Sequence, residues 1–283
     1  MLGVIHQDPQ AYGQRQSRWT LAALQASCPW LGVNTLGGLS QLLDRLAVRR
    51  KRARTYLHSP DADYAAKVAY LEACRAAAQA HPAAIMFVYL DEFGFERQPT
   101  LAQDYDARGR RAPLARLSYR ANTRCRGLGG LNAATGQVTY VQAAHITATR
   151  LSAFYAQLRA DYPHAERIYV VQDNWPVHVH PTVLARLEPQ TSPFWPHVPD
   201  HWPTQAPAAA GHDTLPIQLV FLPTYAPWLN PIEKLWRWVR QQVLHLHRLS
   251  DDWFTLKQRV LDFMRAFAQG SEPLLRYVGL LPY

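Results

Sequence analysis

The spacing of apolar residues along the chain changes near residue 83, and the change separates two groups of predicted elements. Residues 18–46 hold apolar positions at helical spacing, and Pro29 and Gly32 interrupt the pattern. After the break, the leucines share one helical face: Leu36, Leu39, Leu42, Leu43 and Leu46. Two short helices joined by a turn suit a helix-turn-helix or winged-helix unit, and a small helical hairpin is the alternative.

A third predicted helix lies between the two groups, in an alanine-rich segment at residues 59–82. Ser59 or Asp61 is expected to cap it, and Pro60 suits the first helical turn. Pro82 ends the pattern, because proline cannot continue a helix. We therefore predict a linker helix here.

From residue 83 onward the pattern becomes that of an α/β domain. Apolar runs typical of strands alternate with amphipathic segments, in the order strand, hairpin, helix, strand, helix, strand, helix. Mixed sheets with helices on both faces are the RNase H-like α/β pattern. Residues 188–215 interrupt it with many prolines, so they are expected to form an insertion loop, either functional or mobile. Residues 251–283 are expected to be helical and then irregular.

Composition and charge narrow the classes of protein. With 48% hydrophobic residues the chain can form a sizeable core, and no apolar run is long enough to span a membrane. Three widely spaced cysteines without a CxxC pair predict free thiols and no structural zinc. The net charge is +9, and residues 45–58 carry six Lys or Arg and no acid. This clustering favours a polyanionic partner such as DNA, although basic blocks are often only solvated surface.

Three carboxylates stand at the ends of predicted core elements. Asp91 is expected to end one strand, Asp173 to end another, and Glu233 to open a helix. Together they would make an oxygen-rich site for Mg²⁺ or Mn²⁺, and two such ions can clamp a phosphodiester. Glu92 follows Asp91, and only one of these two should face the site, since successive strand side chains point to opposite faces.

Three motifs give a family resemblance. VYLDEFGF, VVQDNWPVH and FLPTYAPWLNPIEKLWRWV, in this order, resemble the catalytic blocks of mariner-type DDE transposases, more narrowly those of the bacterial insertion sequence 630 family. The resemblance implies that Asp91, Asp173 and Glu233 bind two Mg²⁺ or Mn²⁺ ions and catalyse strand cleavage and transfer at transposon ends. It also gives supporting roles to Asn174, His178 and Asn230. Trp236 is expected to be a core residue.

The resemblance extends upstream, over roughly residues 7–250 in all. The segment before residue 58 resembles a second helix-turn-helix with a basic tail, so DNA contacts are expected from Arg49, Arg50, Lys51, Arg52 and Arg54. The expected partners are double-stranded DNA and a second copy of the chain, without membrane contact, in a bacterial cytoplasm near the nucleoid. The predicted domains are 1–58 for DNA binding, 59–82 for the linker, 83–250 for catalysis and 251–283 for a helical tail.

Two features depart from the family pattern. The chain begins too late for the usual first helix-turn-helix, and Asp173 and Glu233 are 60 positions apart because of the insertion at 188–215. These departures leave open an inactive, transposase-derived DNA-binding protein. A structure-specific nuclease such as a resolvase or RNase H would share the metal chemistry, but the upstream helix-turn-helix argues against it.

Overall fold

The computed structural model describes residues 2–51, 58–109, 111–120, 123–205 and 214–282. The chain divides into two units, Met1–Tyr56 and Leu57–Tyr283. The domain boundaries expected from the sequence remain predictions.

The first unit is a small helical cluster made of α1 (Leu2–Ile5), α2 (Leu21–Ser27) and α3 (Leu36–Arg45). Thr20 and Thr35 cap α2 and α3, because their hydroxyls accept the backbone N–H three residues further on. The predicted pair of helices is confirmed, and α2 and α3 fit a helix-turn-helix. Of the five leucines expected on one face, the core of this unit contains Leu39 and Leu43.

The second unit is built on one five-stranded sheet within the described residues. Its strands are β1 (Ile85–Glu96), β2 (Arg124–Asn132), β3 (Val138–Ala143), β4 (Arg167–Gln172) and β5 (Ile217–Phe221). The strand order is β3-β2-β1-β4-β5; β1, β4 and β5 are parallel, and β2 is antiparallel to both β1 and β3. The predicted RNase H-like mixed sheet is confirmed.

Helices cover both faces of this sheet. One face is packed by α4 (Tyr64–Ala80), α7 (Ile232–Val239), α8 (Trp253–Arg265) and α9 (Glu272–Val278). The opposite face is packed by α5 (Ala148–Asp161) and the short α6 (Pro181–Leu184). Two separate apolar cores result, and the buried strands β4 and β5 contribute side chains to both.

Strand β1 is longer than the sequence predicted. We expected it to end at Asp91, but it continues to Glu96, so that prediction is wrong. Its pairing with β4 stops at Tyr89, whereas its pairing with β2 continues to Glu96. The partner strand β2 therefore extends β1, and Asp91 lies just past the point where β1 loses its other neighbour.

Two expectations about helices are also corrected. Helix α4 begins at Tyr64, and the expected caps Ser59 and Asp61 instead bond to Thr224, 165 and 163 positions away. The C-terminal segment holds more helix than expected: α9 forms after α8, Leu274 and Val278 join the same core as α7 and α8, and the irregular end is confined to residues after 278. An apolar surface on the sheet unit, invisible to local pattern, stabilises this last helix.

The proline-rich insertion forms hydrogen bonds along the free edge of β5. Between residues 188 and 205 it forms neither helix nor strand, and residues 206–213 lie outside the described chain. The amide of Gln190 donates to Ile217 O and accepts from Leu219 N, both at 2.8 Å. Thr191 adds two hydrogen bonds to Gln218. The insertion therefore satisfies groups on β5 that an open sheet edge would expose.

Two simpler expectations agree with the structure. Cys28, Cys74 and Cys125 are buried free thiols. Among the helices in the described ranges, none has the length and apolar character needed to cross a membrane.

Candidate active site

The three predicted acids line one cleft. Asp91 lies on β1 beside the end of β4, Asp173 directly follows β4, and Glu233 lies in the first turn of α7. The cleft has a volume of about 790 Å³. Within the described residues, no three acidic, histidine or cysteine side chains lie close enough to hold one metal ion together. The acids therefore surround an open space and do not touch one another as a closed cluster.

Asp91 is held by a tryptophan from α7. The indole Nε1 of Trp236 donates to Asp91 Oδ2 at 2.9 Å. On the neighbouring strand, Gly129 pairs with Asp91 and makes room for the ring, because a Cβ there would lie 2.4 Å from a carbon of Trp236. Trp236 is buried, as expected, but its contact with the acid was not foreseen from the sequence. The glycine-rich strand β2 was the available signal, since glycine in a strand often marks a close approach.

Further aromatic contacts fix this tryptophan. Phe93, two residues beyond Asp91 on the same face of β1, stacks on Trp236 with ring centroids 5.3 Å apart. The guanidinium of Arg240 lies over the ring of Phe93, 5.2 Å from its centroid. Asp91 is therefore positioned by rigid, buried groups.

Asp173 has a different environment. Its side chain is 62% exposed, and it accepts hydrogen bonds from His178 Nε2 at 3.1 Å and from the backbone N–H of Trp175 at 3.0 Å. Partial burial acts to raise its pKa, but the bond and charge of His178 and the bond from Trp175 outweigh it, and the pKa is lowered. His178 is almost fully buried, so its ring is held in place by packing.

The other two predicted supporting residues fasten the loop after β5. Asn174 does not bond to Asp173; its amide donates to Leu222 O at 2.9 Å and to Thr224 Oγ1 at 3.3 Å. The Asn230 amide donates to Leu90 O at 3.4 Å, next to Asp91. The Oδ1 atom of Asn230 is buried without a hydrogen-bond partner among the described residues.

Glu92 also lines the cleft, contrary to the expectation that only one of the two adjacent acids would. Beyond Tyr89, β1 has no β4 neighbour, so side chains from both of its faces reach the open edge. Burial, with the charges of Asp173 and Asp91 adding to it, raises the pKa of Glu92 to about 8. Its Oε1 atom is buried and lacks a partner in the described chain.

The electrostatics of the cleft favour a cation. Burial, followed by the negative charge of Glu233, raises the pKa of Asp91 to about 7 against the bond from Trp236. Burial also raises the pKa of Glu233, and the charge of Asp173 adds to it while Arg240 opposes it. Carboxyl groups that destabilise one another's charge are relieved by a bound cation.

The predicted DNA-contacting residues belong to the first unit. Arg49, Arg50 and Lys51 are exposed in the segment after α3, whereas Arg52 and Arg54 lie outside the described residues. Arg126 of β2, which was not singled out from the sequence, lines the cleft of the second unit.

Known proteins match both the sequence and the fold. Residues 86–257 match the model of the DDE superfamily endonucleases. An uncharacterized 39 kDa protein of insertion element IS630 from Shigella sonnei is 23% identical over 271 residues, which are 92% of this chain and 68% of that protein.

Solved structures of similar fold include the Mos1 mariner paired-end complex with Mn, at 17% identity and a TM-score of 0.60 over 97% of this chain and 74% of the other. A pre-cleavage Mos1 transpososome gives 16% identity and a TM-score of 0.58 over 95% and 78%.

The chain belongs to the DDE superfamily endonuclease family, because the family model covers more than half of its residues. The predicted resemblance to the mariner and insertion sequence 630 family is confirmed, and the class of enzyme that the family model defines is a DDE superfamily endonuclease.

Proposed function

We propose that this protein is an active DDE transposase in which Asp91, Asp173 and Glu233 bind two Mg²⁺ or Mn²⁺ ions. The reaction would be hydrolytic cleavage at transposon ends, followed by attack of the freed 3′-hydroxyl on target DNA. The observation that carries the proposal is the convergence on one cleft of three carboxylates, from β1, from the residue after β4 and from α7. Bound divalent ions would supply activation of the attacking oxygen and stabilisation of the leaving oxygen.

The residues present fit such ions. All three acids are hard oxygen donors, which Mg²⁺ and Mn²⁺ prefer. Burial and mutual repulsion raise the pKa of Asp91 and of Glu233, as expected for ligands that lack their cation. The partnerless oxygens of Glu92 and Asn230 at the same cleft are further unmet acceptors. We assign metal binding to the three acids and leave Glu92 as a neighbouring donor.

The chain's own cations would hold the DNA. Arg126 lines the cleft, and the charges of Arg237 and Arg240 reach Glu233, so these side chains can neutralise phosphates beside the acids. The exposed strip at Arg49, Arg50 and Lys51, which continues in the sequence to Arg52 and Arg54, would bind the transposon end. Because phosphate contacts release counterions, binding should weaken steeply as the salt concentration rises.

The proposal includes a homodimer acting in a bacterial cytoplasm near the nucleoid, because two transposon ends must be joined. Supporting the dimer, the segment between β1 and β2 exposes several large apolar side chains: Leu101, Tyr105, Leu114, Leu117 and Tyr119. Exposed apolar surface of this kind is typical of an interaction site. Sedimentation analysis of the DNA complex tests this part, and one protein chain per pair of ends would contradict it.

The test is cleavage of duplexes carrying the element's own ends, with Mg²⁺, with Mn²⁺ and with chelator. We expect metal-dependent cuts at the ends, reduced at least about 10³-fold in Asp173→Asn, since the missing charge removes an ion ligand. Asp262→Asn, an exposed acid on α8, is the matched control and should cleave normally. Binding without cleavage in either metal would favour an inactive, transposase-derived DNA-binding protein, and full cleavage by Asp173→Asn would refute the site assignment.

A further inference from the structure

Tyr225 stands at the cleft with an unusual backbone. Its φ angle is +54°, in the left-handed region that costs an L-amino acid free energy and that glycine or asparagine adopts more easily. The side chain is 68% exposed and forms part of the cleft wall. Of the three non-glycine residues with positive φ in the described chain, Ala47, Tyr225 and Leu246, only Tyr225 lines the cleft.

The residue before it, Thr224, is held by three hydrogen bonds from two segments, the stretch before α4 and the loop after β4. Thr224 N donates to Asp61 Oδ2 at 2.7 Å, and Thr224 O accepts from Ser59 Oγ at 2.6 Å. Its hydroxyl accepts from Asn174 Nδ2 at 3.3 Å. Every polar group of Thr224 therefore has a partner, which fixes the peptide plane that leads into Tyr225.

The anchor on the linker side is itself buried and paired. Asp61 Oδ2 also accepts from Lys67 Nζ at 2.8 Å, and both side chains are nearly excluded from water. Downstream, Trp228 Nε1 donates to Tyr64 OH at 3.2 Å, so the far end of the same loop is tied to α4. Trp228 therefore helps to position the loop.

The surrounding hydrogen bonds thus hold Tyr225 at an unfavourable φ angle, although its side chain contributes little to the stability of the fold. Within the described residues, the hydroxyl of Tyr225 makes no hydrogen bond and its ring pairs with no other aromatic ring. A glycine would adopt this φ without strain. Strained residues that the surrounding structure holds in place are concentrated at functional sites, so the exposed ring itself is the feature to explain.

We propose that Tyr225 is a base-binding residue, whose ring stacks on a nucleobase displaced from the DNA helix next to the phosphate being cut. Aromatic rings bind unpaired bases in this way with little sequence preference. The cleft, at about 790 Å³, is large enough for one nucleotide beside the acids. This inference rests on the proposed function, because it takes DNA as the ligand of the cleft.

The test measures binding alone, with the full chain in chelator, so that no cleavage is needed. The probes are two duplexes of the element's end, one fully paired and one with two unpaired nucleotides at the cleavage position. We expect wild-type protein to prefer the unpaired probe, because its free base can stack on Tyr225. Tyr225→Phe keeps the ring and should keep the preference.

Tyr225→Gly is the decisive variant. It relieves the backbone strain, so its thermal stability should be equal to or above that of wild type, yet it should bind the unpaired probe about tenfold more weakly. Phe254→Ala removes an equally exposed aromatic ring on α8 and should change nothing. An unchanged preference in Tyr225→Gly, or none in wild type, would overturn the proposal. Because cleavage is not measured, a protein that binds as described but never cuts would refute only the proposed function.

Discussion

Two acids of the cleft, Asp91 on β1 and Asp173 just after β4, are held in opposite ways. Asp91 lies within a strand, next to a buried tryptophan, and its pKa is raised to about 7. Asp173 lies just after a strand, exposed to water, and its bonds from His178 and Trp175 lower its pKa. One acid is positioned by packing and the other by hydrogen bonds.

The two acids therefore differ in which property is set before a cation binds: Asp173 is already charged, and Asp91 is already fixed in position. At neutral pH Asp173 is ionised before any cation arrives, so it supplies the initial attraction for one. Asp91 is held in a fixed position but only partly ionised, and a bound cation would complete its ionisation. We therefore expect metal affinity and cleavage to depend most on the hydrogen bonds that Asp173 accepts. We expect the pH dependence of stability to come mainly from Asp91.

The largest expected effect of losing a supporting hydrogen bond is on metal affinity and cleavage, when the bond from His178 to Asp173 is removed. His178→Leu removes the donor to Asp173 while keeping an apolar group of similar bulk, so metal affinity or cleavage should fall about 10- to 100-fold. His178→Gln retains a side-chain N–H and should recover part of the loss. The measurement is the cleavage rate against Mn²⁺ concentration. His164→Leu, at an exposed turn, is the control, and normal metal dependence in His178→Leu would show that Asp173 needs no such support.

A smaller effect is expected at the Asp91 end. Trp236→Phe keeps a ring for Phe93 to stack on but removes the N–H that bonds to Asp91, so cleavage should fall about five- to tenfold, the value of one hydrogen bond. Trp238→Phe is a matched control on the same helix, because Trp238 packs against Phe263, Phe267 and Tyr277 and, within the described residues, makes no hydrogen bond to an acid. Equal losses in both variants would mean that the effect is one of packing alone.

The smallest effect concerns stability and pH in metal-free protein. The pKa values of Asp91 (about 7) and Glu92 (about 8) are raised above an unfolded value of about 4, so the folded state binds more protons between these limits. The free energy of unfolding should therefore fall as pH rises from about 5 to 8, lowering Tm by a few degrees.

Scanning calorimetry checks this, with two variants to separate the acids. Asp91→Asn should reduce the fall most. Asp173→Asn should reduce it less, because it removes only the share of the raised pKa values of Asp91 and Glu92 that comes from the charge of Asp173. The lowered pKa of Asp173 itself contributes stability that is lost only as pH falls below about 4. Adding Mg²⁺ should raise Tm more at pH 8 than at pH 5. A Tm that is independent of pH in both wild type and Asp91→Asn would contradict the raised pKa values of Asp91 and Glu92.

Much of the fold could be predicted from local sequence. The strand before Asp173, the helix after Asn230 and the helix pair of the first unit follow from apolar spacing and from the prolines and glycines that interrupt it. The order of the three acids along the chain was also readable, because each stands next to a strongly patterned element.

The errors occurred where a distant segment decides the outcome. Strand β1 continues past Asp91 because β2 pairs with it there, and α9 forms because a core is available to cover it. Ser59 and Asp61 have the chemistry of helix caps, yet the backbone of Thr224 takes their hydrogen bonds. Local propensity is weak when a long-range partner offers a buried bond.

The sequence by itself determined the class of fold, with one helical unit and one mixed-sheet unit. It also determined which carboxylates stand next to core elements. Both follow because side-chain periodicity and turn chemistry are local. Only the tertiary structure decided that Trp236 bonds to Asp91, that Asp91 and Asp173 have opposite pKa directions, and that Tyr225 is held in a strained backbone at the cleft. The physical reason is that pKa values and strain depend on burial and on partners far away in the chain, which are set when the sheet and its helices pack together.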